Sequence, residues 1–328
     1  MLIPEMKLKV NIFGTPDMAA TRDGFGAGLI EAAEKDPRIV ALSADLTEST
    51  RVEAFQKKFP ERFIEIGVAE QNMAALAAGF AEYGKIPFLT SYATFSPGRN
   101  NEQIRTTLSI NNVHAIVCGM HAGVSVGPDG ATHQALEDMG LMRMQPHMTV
   151  ISPCDSEEAR KATLAAAAGD GPFYLRFGRE KTPVMTAADT PFKIGKANVL
   201  YRADSPVCAV FATGPLVHNA LLAARELEKE GIRISVTNVH TIKPLDTETI
   251  VREAGSAGAL VSVEEHQISG GLGSAIAELL VQTKPLPQEF IGVHDQFGQS
   301  GTPVELIEHY GMGVSHIVDA VKKAIARK

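Results

Sequence analysis

The sequence has no tryptophan and only three cysteines among its 328 residues, Cys118, Cys154 and Cys208. An odd number of cysteines without a CxxC pair supports neither a disulfide framework nor a zinc knuckle. No apolar run reaches the roughly 18 residues of a membrane-spanning helix, and the first residues lack the apolar block of a signal peptide. We therefore expect a cytoplasmic protein.

Excess positive charge is also absent. The net charge is −7, and no segment forms the basic stripe that a nucleic-acid groove requires. The hydrophobic fraction of 45% and the charged fraction of 21% are those of a globular protein, which excludes disordered and fibrous classes. The length is sufficient for two domains, each with its own core.

Short apolar segments alternate with helical patterns along most of the chain. This alternation predicts an α/β fold of two three-layer domains with mostly parallel sheets. The expected strands are 39–43, 63–66, 86–90, 113–118, 148–152, 173–177, 207–212, 232–238, 259–263 and 290–293. The expected helices are 20–35, 69–83, 99–109, 134–142, 156–168, 216–230, 246–254, 271–282 and 314–326. Residues 183–206 carry three prolines and no helical period, so we expect a linker with one short strand.

The segment FIEIGVAEQNMAALAAGFAEYGKIPFL, residues 63–89, places Glu70 in the first turn of a helix made almost entirely of small and apolar residues. A carboxylate at that position favours the positive end of the helix dipole, which is one explanation for it. A functional carboxylate next to an apolar pocket is the other, and the sequence alone favours neither.

The segment GPDGATHQ, residues 127–134, places Asp129 and His133 in a glycine-containing loop, with His121 eight positions before Asp129. Loops that follow parallel strands carry ligand-binding groups in α/β proteins. Asp, Gly and Thr are also common in turns and helix caps. Three polar groups so close together between buried strands favour a binding role for hydroxyls and phosphate.

These segments, with RFGRE, TIKPLDTETI and VEEHQISGGLGSAIAE in this order, resemble the C-terminal section of transketolases. The resemblance runs from about residue 18 to the last residue, and it lacks the domain that binds the diphosphate and magnesium of thiamine diphosphate. The chain therefore resembles the smaller subunit of a transketolase made of two polypeptides. By this resemblance residues 18–182 form the pyrimidine-binding domain, residues 207–328 form the C-terminal domain, and residues 1–17 are an N-terminal extension.

The resemblance implies a cofactor site for thiamine diphosphate, whose metal and diphosphate the partner subunit mainly holds. Glu70 matches the glutamate that hydrogen-bonds a ring nitrogen of the aminopyrimidine, an interaction that makes the exocyclic amine more acidic. Tyr92 and Phe95 match aromatic residues around the pyrimidine, whereas Gly98 replaces a third one. Asp45 matches a residue near the cofactor at the boundary between subunits.

The resemblance also implies substrate contacts. Asp129 matches an aspartate that recognises a sugar hydroxyl. His133, a candidate catalytic residue, matches a histidine near the reacting carbons. Sugar-phosphate and further pocket contacts fall on His121, Arg179, Arg22 and Ser49. An arginine fork suits a phosphate dianion because it offers paired, charge-assisted hydrogen bonds. Arg176, close in sequence to Arg179, competes with it for this role.

The implied activity is transfer of a two-carbon ketol unit from a ketose phosphate to an aldose phosphate. The implied partner is a diphosphate-binding subunit, and pairing of pyrimidine domains implies a heterotetramer. Three alternatives stay open: an enzyme of the 1-deoxy-D-xylulose-5-phosphate synthase type, the beta subunit of a 2-oxo acid dehydrogenase, and a non-catalytic subunit that keeps the fold.

Two further patterns resemble binding motifs. Residues 169–171 read GDG and Asn198 follows, as in the magnesium and diphosphate motif of thiamine enzymes, but a helix precedes this GDG and a strand follows it. We therefore expect a tight turn and no metal site. The glycines of GGLGSAIAELL, residues 270–280, open a helix without the spacing of a phosphate loop. We expect a structural role there, and His266, just before this run, fits a loop histidine with satisfied hydrogen bonds as well as it fits a ligand.

Overall fold

The computed structural model describes residues 1–328, which fold into two large sheets covered by helices. The strands are β1 Met18–Ala20, β2 Ile39–Ser43, β3 Phe63–Glu65, β4 Ile86–Tyr92, β5 Ile116–Met120, β6 Thr149–Ile151, β7 Phe173–Arg176, β8 Lys181–Pro183, β9 Asn198–Arg202, β10 Cys208–Ala212, β11 Ile234–Asn238, β12 Thr241–Lys243, β13 Leu260–Gln267 and β14 Gln288–Val293. The helices are α1 Thr21–Lys35, α2 Glu53–Lys58, α3 Glu70–Glu82, α4 Asn101–Gln103, α5 Asp138–Arg143, α6 Ser156–Ala167, α7 Val217–Lys229, α8 Thr247–Ala257, α9 Leu272–Thr283, α10 Pro303–His309 and α11 Val314–Ala326.

The first sheet has seven strands in the order β12-β6-β7-β5-β4-β2-β3. All its pairings are parallel except that of β12 with β6. Strands β2, β5 and β7 are buried along their whole length, as expected for a sheet covered on both faces. The predicted α/β fold with mostly parallel strands is confirmed.

The second sheet has five strands in the order β14-β13-β10-β11-β9, with β9 antiparallel at one edge. Strand β9 is the short strand expected within residues 183–206. A separate two-stranded sheet pairs β1 with β8. At the N-terminus, Leu2 forms a β-bridge with Tyr201, and the side chain of Ile12 is buried in the core of the second sheet.

The two sheets share part of their core. One cluster of buried apolar side chains contains Met73 and Leu108 beside the first sheet together with Ile250 and Ile276 beside the second. Strand β12 extends this link, because it follows β11 in sequence but pairs with β6 of the first sheet. The halves of the chain are therefore packed as one body.

Local capping explains where several helices begin. The carboxylate of Asp155 accepts from the backbone N–H of Glu158 at the start of α6. Thr302 and Glu305 form a capping box at the start of α10, with Pro303 in its first turn. A polar side chain that accepts from an otherwise unpaired N–H stabilises a helix end by about 1 kcal/mol.

The structure corrects two predicted helices. The expected helix 134–142 begins only at Asp138, because the Gln134 side chain bonds the carbonyls of Val124 and Gly127 and Ala135 bridges Ala122. The expected helix 99–109 begins at Asn101 and continues as a π-helix over Ile104–Ser109. The sequence pattern also missed α2, α10, β1, β8 and β12.

No helix of the structure combines the length and the apolar character needed to cross a bilayer.

Candidate active site

The candidate site lies at one edge of the first sheet. Strands β2, β4, β5 and β7 are parallel, so their carboxyl ends meet there. This edge is where open α/β sheets hold their ligands. Asp45, His121 and Arg179 lie just after these strand ends, and Tyr92 is the last residue of β4. The first turn of α1 brings Arg22 to the same edge.

Glu70 begins helix α3, and its side chain is 1% exposed. Its carboxylate accepts from the Ser91 hydroxyl at 3.3 Å and from Nη1 of Arg99 at 2.5 Å. The Asn100 amide also donates to the Glu70 carbonyl at 3.0 Å. Since Ser91 belongs to β4, the carboxylate is fixed beside the end of that strand, next to Tyr92.

Arg99 is the site residue that sequence reasoning missed most clearly. Besides binding Glu70, its guanidinium lies over the ring of Phe95, 4.8 Å from the ring centroid. The preceding residue, Gly98, packs tightly on the turn at Thr94: a Cβ there would lie 1.9 Å from the carbonyl oxygen of Thr94. The only available signal was the position of Arg99 within the segment SYATFSPGRNN.

Four rings form a cluster in the candidate site, those of Tyr92, Phe95, His121 and His133. The rings of Tyr92 and Phe95 stack with centroids 6.0 Å apart, and Tyr92 also stacks on His121 at 4.0 Å. His133 presents its edge to Tyr92 and to Phe95, at 6.0 and 5.5 Å. The structure therefore brings together two aromatic residues predicted to contact the pyrimidine and two histidines predicted to contact the sugar.

His121 follows β5 with φ of +53°, in the left-handed region. Its Nε2 accepts from Nη1 of Arg22 at 2.8 Å, so the proton of the neutral ring is on Nδ1. That Nδ1 is buried and forms no hydrogen bond within the chain. Burial, followed by the charges of Arg22 and Arg179, lowers the pKa of His121 to about 3.

Beyond His121 the site opens into a cavity of about 290 Å³. Eight residues line it: Arg22, Glu48, Ser49, Arg51, Tyr92, His121, Asp129 and Arg179. Arg22 donates to the Ser49 carbonyl at 2.9 Å, and its Nε is buried without a partner. The cavity therefore combines guanidinium groups, an imidazole and carboxylates. The sequence motifs did not indicate Glu48 or Arg51, although both flank Ser49.

Arg179 and Arg176 have different surroundings. Arg179 donates to the Asp129 carboxylate at 3.2 Å and to the Val126 carbonyl at 3.1 Å, while about a third of its side chain stays exposed. Arg176 is buried and forms an ion pair with Asp138 at 2.8 Å. Of these two arginines, Arg179 lines the cavity and Arg176 does not.

Asp45 lies apart from the cavity lining. It is exposed, adopts φ of +59°, and its backbone N–H donates to the Glu65 carboxylate at 2.7 Å. The structure therefore places Asp45 on the same loop as Ser49 without directing it to the other candidate residues.

The structure explains the two patterns that resemble binding motifs, the glycine run at residues 270–280 and GDG at residues 169–171. The backbone N–H groups of Leu272 and Gly273, at the start of α9, donate to the buried carboxylate of Glu264. That helix end is therefore already occupied by a negative group of the chain itself. Residues 169–171 form the turn between α6 and β7, and no group of three or more His, Cys, Asp or Glu side chains in the structure could hold a metal ion.

Two family models match consecutive parts of the chain. The transketolase pyrimidine-binding domain matches residues 17–185, and the transketolase C-terminal domain matches residues 195–317. The chain belongs to the transketolase family. This result confirms the resemblance deduced from the sequence motifs.

Similar proteins include single subunits of transketolases. A 6-deoxy-6-sulfo-D-fructose transketolase subunit of Clostridium sp. (strain MSTE9) is 40% identical, over 94% of this chain and 95% of its own length. An apulose-4-phosphate transketolase subunit of Phocaeicola vulgatus is 35% identical, over 90% and 94%. A solved split-gene transketolase, described as an inactive β4 tetramer, is 41% identical with a TM-score of 0.87, and the match covers 94% of this chain and 98% of that one.

Transketolase membership implies dependence on thiamine diphosphate, and the side chains present fit the aminopyrimidine part of that cofactor. A planar ring with polar nitrogens needs an aromatic face and a buried polar partner. The stacked pair Tyr92–Phe95 and the buried carboxylate of Glu70 supply both. The unpartnered Nδ1 of His121 adds a free buried donor next to the same rings.

Proposed function

We propose that this chain is the pyrimidine-binding subunit of a transketolase made of two polypeptides, with domains at residues 18–182 and 207–328. The enzyme would move a two-carbon ketol unit from a ketose phosphate to an aldose phosphate. One observation carries this proposal: a buried carboxylate, an aromatic stack and an arginine-lined cavity follow one another along a single sheet edge.

Glu70, Tyr92 and Phe95 would hold the aminopyrimidine of thiamine diphosphate. When bound, the cofactor supplies the nucleophilic carbon and the electron sink that ketol transfer needs. The carboxylate of Glu70 would accept or share a proton at the ring nitrogen, and the aromatic pair would keep water from that bond. Asp45, exposed on its loop, would face the cofactor across the boundary between subunits.

The cavity beyond His121 would bind the sugar. Asp129 and His121 offer a carboxylate and a neutral imidazole to its hydroxyl groups. His133, edge-on to both rings of the aromatic pair, would lie near the reacting carbons. Arg22, Ser49 and Arg179 would bind the terminal phosphate. Charge-assisted hydrogen bonds from arginine are well suited to this anion.

A diphosphate-binding subunit of the N-terminal type would complete the site by holding Mg²⁺ and the diphosphate. Two observations support this requirement: the chain offers no cluster of metal ligands, and the similar split-gene transketolase is described as inactive in its β4 form. Pairing of two pyrimidine-binding chains would give a heterotetramer with two copies of each subunit.

Reconstitution tests the proposal. The purified chain is combined with the candidate large subunit, thiamine diphosphate and Mg²⁺, and ketol transfer is assayed over a panel of phosphorylated sugars. We expect activity from the mixture and none from either polypeptide on its own. Turnover by this chain alone would refute the requirement for a partner, and reaction with pyruvate as donor would indicate a deoxyxylulose-phosphate synthase instead.

A further inference from the structure

Arg51 lines the same cavity as Arg22 and Arg179 but has no part in the assignment above. Its backbone has φ of +65°, in the left-handed region that residues other than glycine rarely adopt. The backbone N–H of Arg51 donates to the Glu48 carbonyl at 3.1 Å, so the loop closes on itself here. The loop therefore fixes the direction in which the side chain leaves the backbone.

Helix α1 holds the side chain of Arg51 in place. Its Nε donates to Oδ1 of Asp23 at 2.7 Å, and Oδ2 of Asp23 accepts from the N–H of Ala20 at 3.3 Å. Asp23 is thus anchored in the first turn of α1 and orients the guanidinium through a single nitrogen. The two terminal nitrogens of Arg51 form no hydrogen bond with the protein, and 40% of its side chain is exposed.

Gly26, one turn further along α1, makes room for this arrangement. A Cβ at Gly26 would lie 3.0 Å from the Cβ of Arg51 and 3.0 Å from its carbonyl oxygen. Few real Cβ contacts are that short, so a larger residue would displace Arg51. Asp23 therefore holds the side chain of Arg51, and the missing side chain of Gly26 leaves space for it.

The charge of Arg51 acts on the other cationic groups of the cavity. Burial first, and then the charge of Arg51, lowers the pKa of Arg22. The cavity also contains the carboxylates of Glu48 and Asp129, and Asp23 pairs with Arg51 from behind. Asp129 is engaged by Arg179 and Asp23 by Arg51, whereas Arg22 has no carboxylate partner.

We propose that Arg51 is a third anion-binding arginine of this cavity, beside Arg22 and Arg179, and that it favours sugars ending in a phosphate monoester over sugars ending in a sulfonate or a hydroxyl. A phosphate monoester carries about −1.5 to −2 charge at neutral pH, whereas a sulfonate carries a single charge. The two free nitrogens of Arg51 supply hydrogen bonds for the additional charge. The inference rests on the proposed function only in assuming that a sugar enters this cavity.

Three sugars that differ only at C6 test the inference: fructose 6-phosphate, 6-deoxy-6-sulfo-D-fructose and fructose. Their dissociation constants for the full-length chain are measured by calorimetry, and their KM values as donors are measured with the reconstituted enzyme. In Arg51→Leu we expect fructose 6-phosphate to bind about 10- to 100-fold more weakly. We expect a smaller loss for the sulfonate and no change for fructose.

Two further variants and a control make the test specific. Arg51→Lys should keep part of the preference for phosphate. Arg51→Asn removes the guanidinium with a residue that tolerates positive φ, so it serves if Arg51→Leu folds poorly. Arg38→Leu is the matched control, because Arg38 also pairs with a neighbouring aspartate, Asp36, but lies before β2 at the opposite edge of the sheet.

The results separate this inference from the proposed function. Equal weakening of all three sugars in Arg51→Leu, less than about threefold weakening of the phosphate sugar, or no binding of any sugar by the unmodified chain would overturn the role of Arg51. If the reconstituted enzyme transfers no ketol unit but Arg51→Leu still loses phosphate affinity selectively, the inference stands and the transketolase proposal fails.

Discussion

Arg99 donates a 2.5 Å hydrogen bond to the carboxylate of Glu70, and the two residues differ greatly in exposure. Glu70 is buried, whereas 44% of the Arg99 side chain is exposed. The guanidinium thus covers a carboxylate that water cannot reach, and it also lies over the ring of Phe95. One side chain therefore connects the proposed cofactor carboxylate with the aromatic pair, and it does so with nearly half of its surface in solvent.

Removing Arg99 should destabilise the chain through Glu70. Arg99→Met leaves the buried carboxylate with one side-chain bond, the 3.3 Å contact from Ser91. We expect the free energy of unfolding in urea to fall by about 1–3 kcal/mol, since an uncompensated buried charge is unfavourable. In a Glu70→Gln background the same change should cost less than about 0.5 kcal/mol. Equal losses in both backgrounds would mean that Arg99 acts through other contacts.

Glu70 itself should matter for turnover and little for folding. With the partner subunit present, we expect Glu70→Ala to lose about 10²- to 10⁴-fold in kcat, the range for a lost proton-transfer group. Circular dichroism should show an intact fold. Glu82→Ala, on the exposed last turn of α3, is the control and should keep full activity. Turnover near normal in Glu70→Ala would refute the assigned role.

His121 should remain neutral throughout the physiological range. Its pKa of about 3 lies below the ordinary value of 6.5, because burial and then Arg22 and Arg179 oppose the charged form. NMR of labelled histidines should show no titration of this ring between about pH 5 and about pH 8, with the His121→Gln variant identifying the signal. A midpoint near 6.5 would contradict the geometry.

The same pKa predicts a direction for stability. The unfolded chain binds a proton at this histidine below about pH 6.5 and the folded chain does not, so the contribution of His121 to stability falls as the pH drops from 6.5 towards 3. His121→Gln should reduce this part of the acid sensitivity in urea unfolding. An unchanged slope in the variant would show that other groups account for it.

Hydrophobic pattern was sufficient to predict the central strands. Segments such as 39–43 and 173–177 are fully apolar or nearly so because both faces of the sheet are covered, and this feature is visible without a structure. Strand β12 could not be found this way. It has only three residues, and its partner β6 lies about 90 positions earlier in sequence. Gln134 shows a different failure, because its long-range amide bonds replaced the helical turn that the local pattern predicted.

The proposed site could be predicted where residues lie in recognisable segments. Glu70, Tyr92 and Asp129 were predicted this way, and the structure brings them to one edge of the sheet. Arg51 and Arg99 were not predicted, because their contacts depend on the direction of each side chain. Arg51 lines the cavity from a position with positive φ, and Arg99 donates to Glu70, 29 positions earlier in the sequence. The spacing of residues in the sequence does not indicate where either side chain points.

Arg176 and Arg179 should respond to mutation in opposite ways. Arg176 pairs with Asp138, which also accepts from the Tyr174 hydroxyl at 2.6 Å, and all three side chains are buried. Arg176→Met should therefore lower the free energy of unfolding by about 3–5 kcal/mol, the range for breaking a buried ion pair. Arg179→Met should change it by less than about 1 kcal/mol, because the pair with Asp129 is partly exposed.

Binding separates the two arginines further. Arg179→Met should weaken the binding of fructose 6-phosphate by about tenfold or more and leave the binding of fructose unchanged. Arg176→Met should not change the affinity for either sugar selectively at a temperature where the variant is folded. Selective loss of phosphate affinity in Arg176→Met would instead assign the anion contact to the buried residue.

Acid adds an independent check on the Arg176–Asp138 pair. Burial raises the pKa of Asp138, but the charges of Arg176 and His266 and the hydrogen bonds from Arg176 and Tyr174 together outweigh burial and hold the pKa below the ordinary 3.8. The pair therefore contributes its full stability above that value and loses it as the pH falls through the lower pKa of the folded state. In Asp138→Asn this loss should disappear from urea unfolding at acidic pH, and the variant should already be less stable at neutral pH. A variant as stable as the unmodified chain at neutral pH would show that the buried pair is dispensable, and Arg176 would again be available for the phosphate.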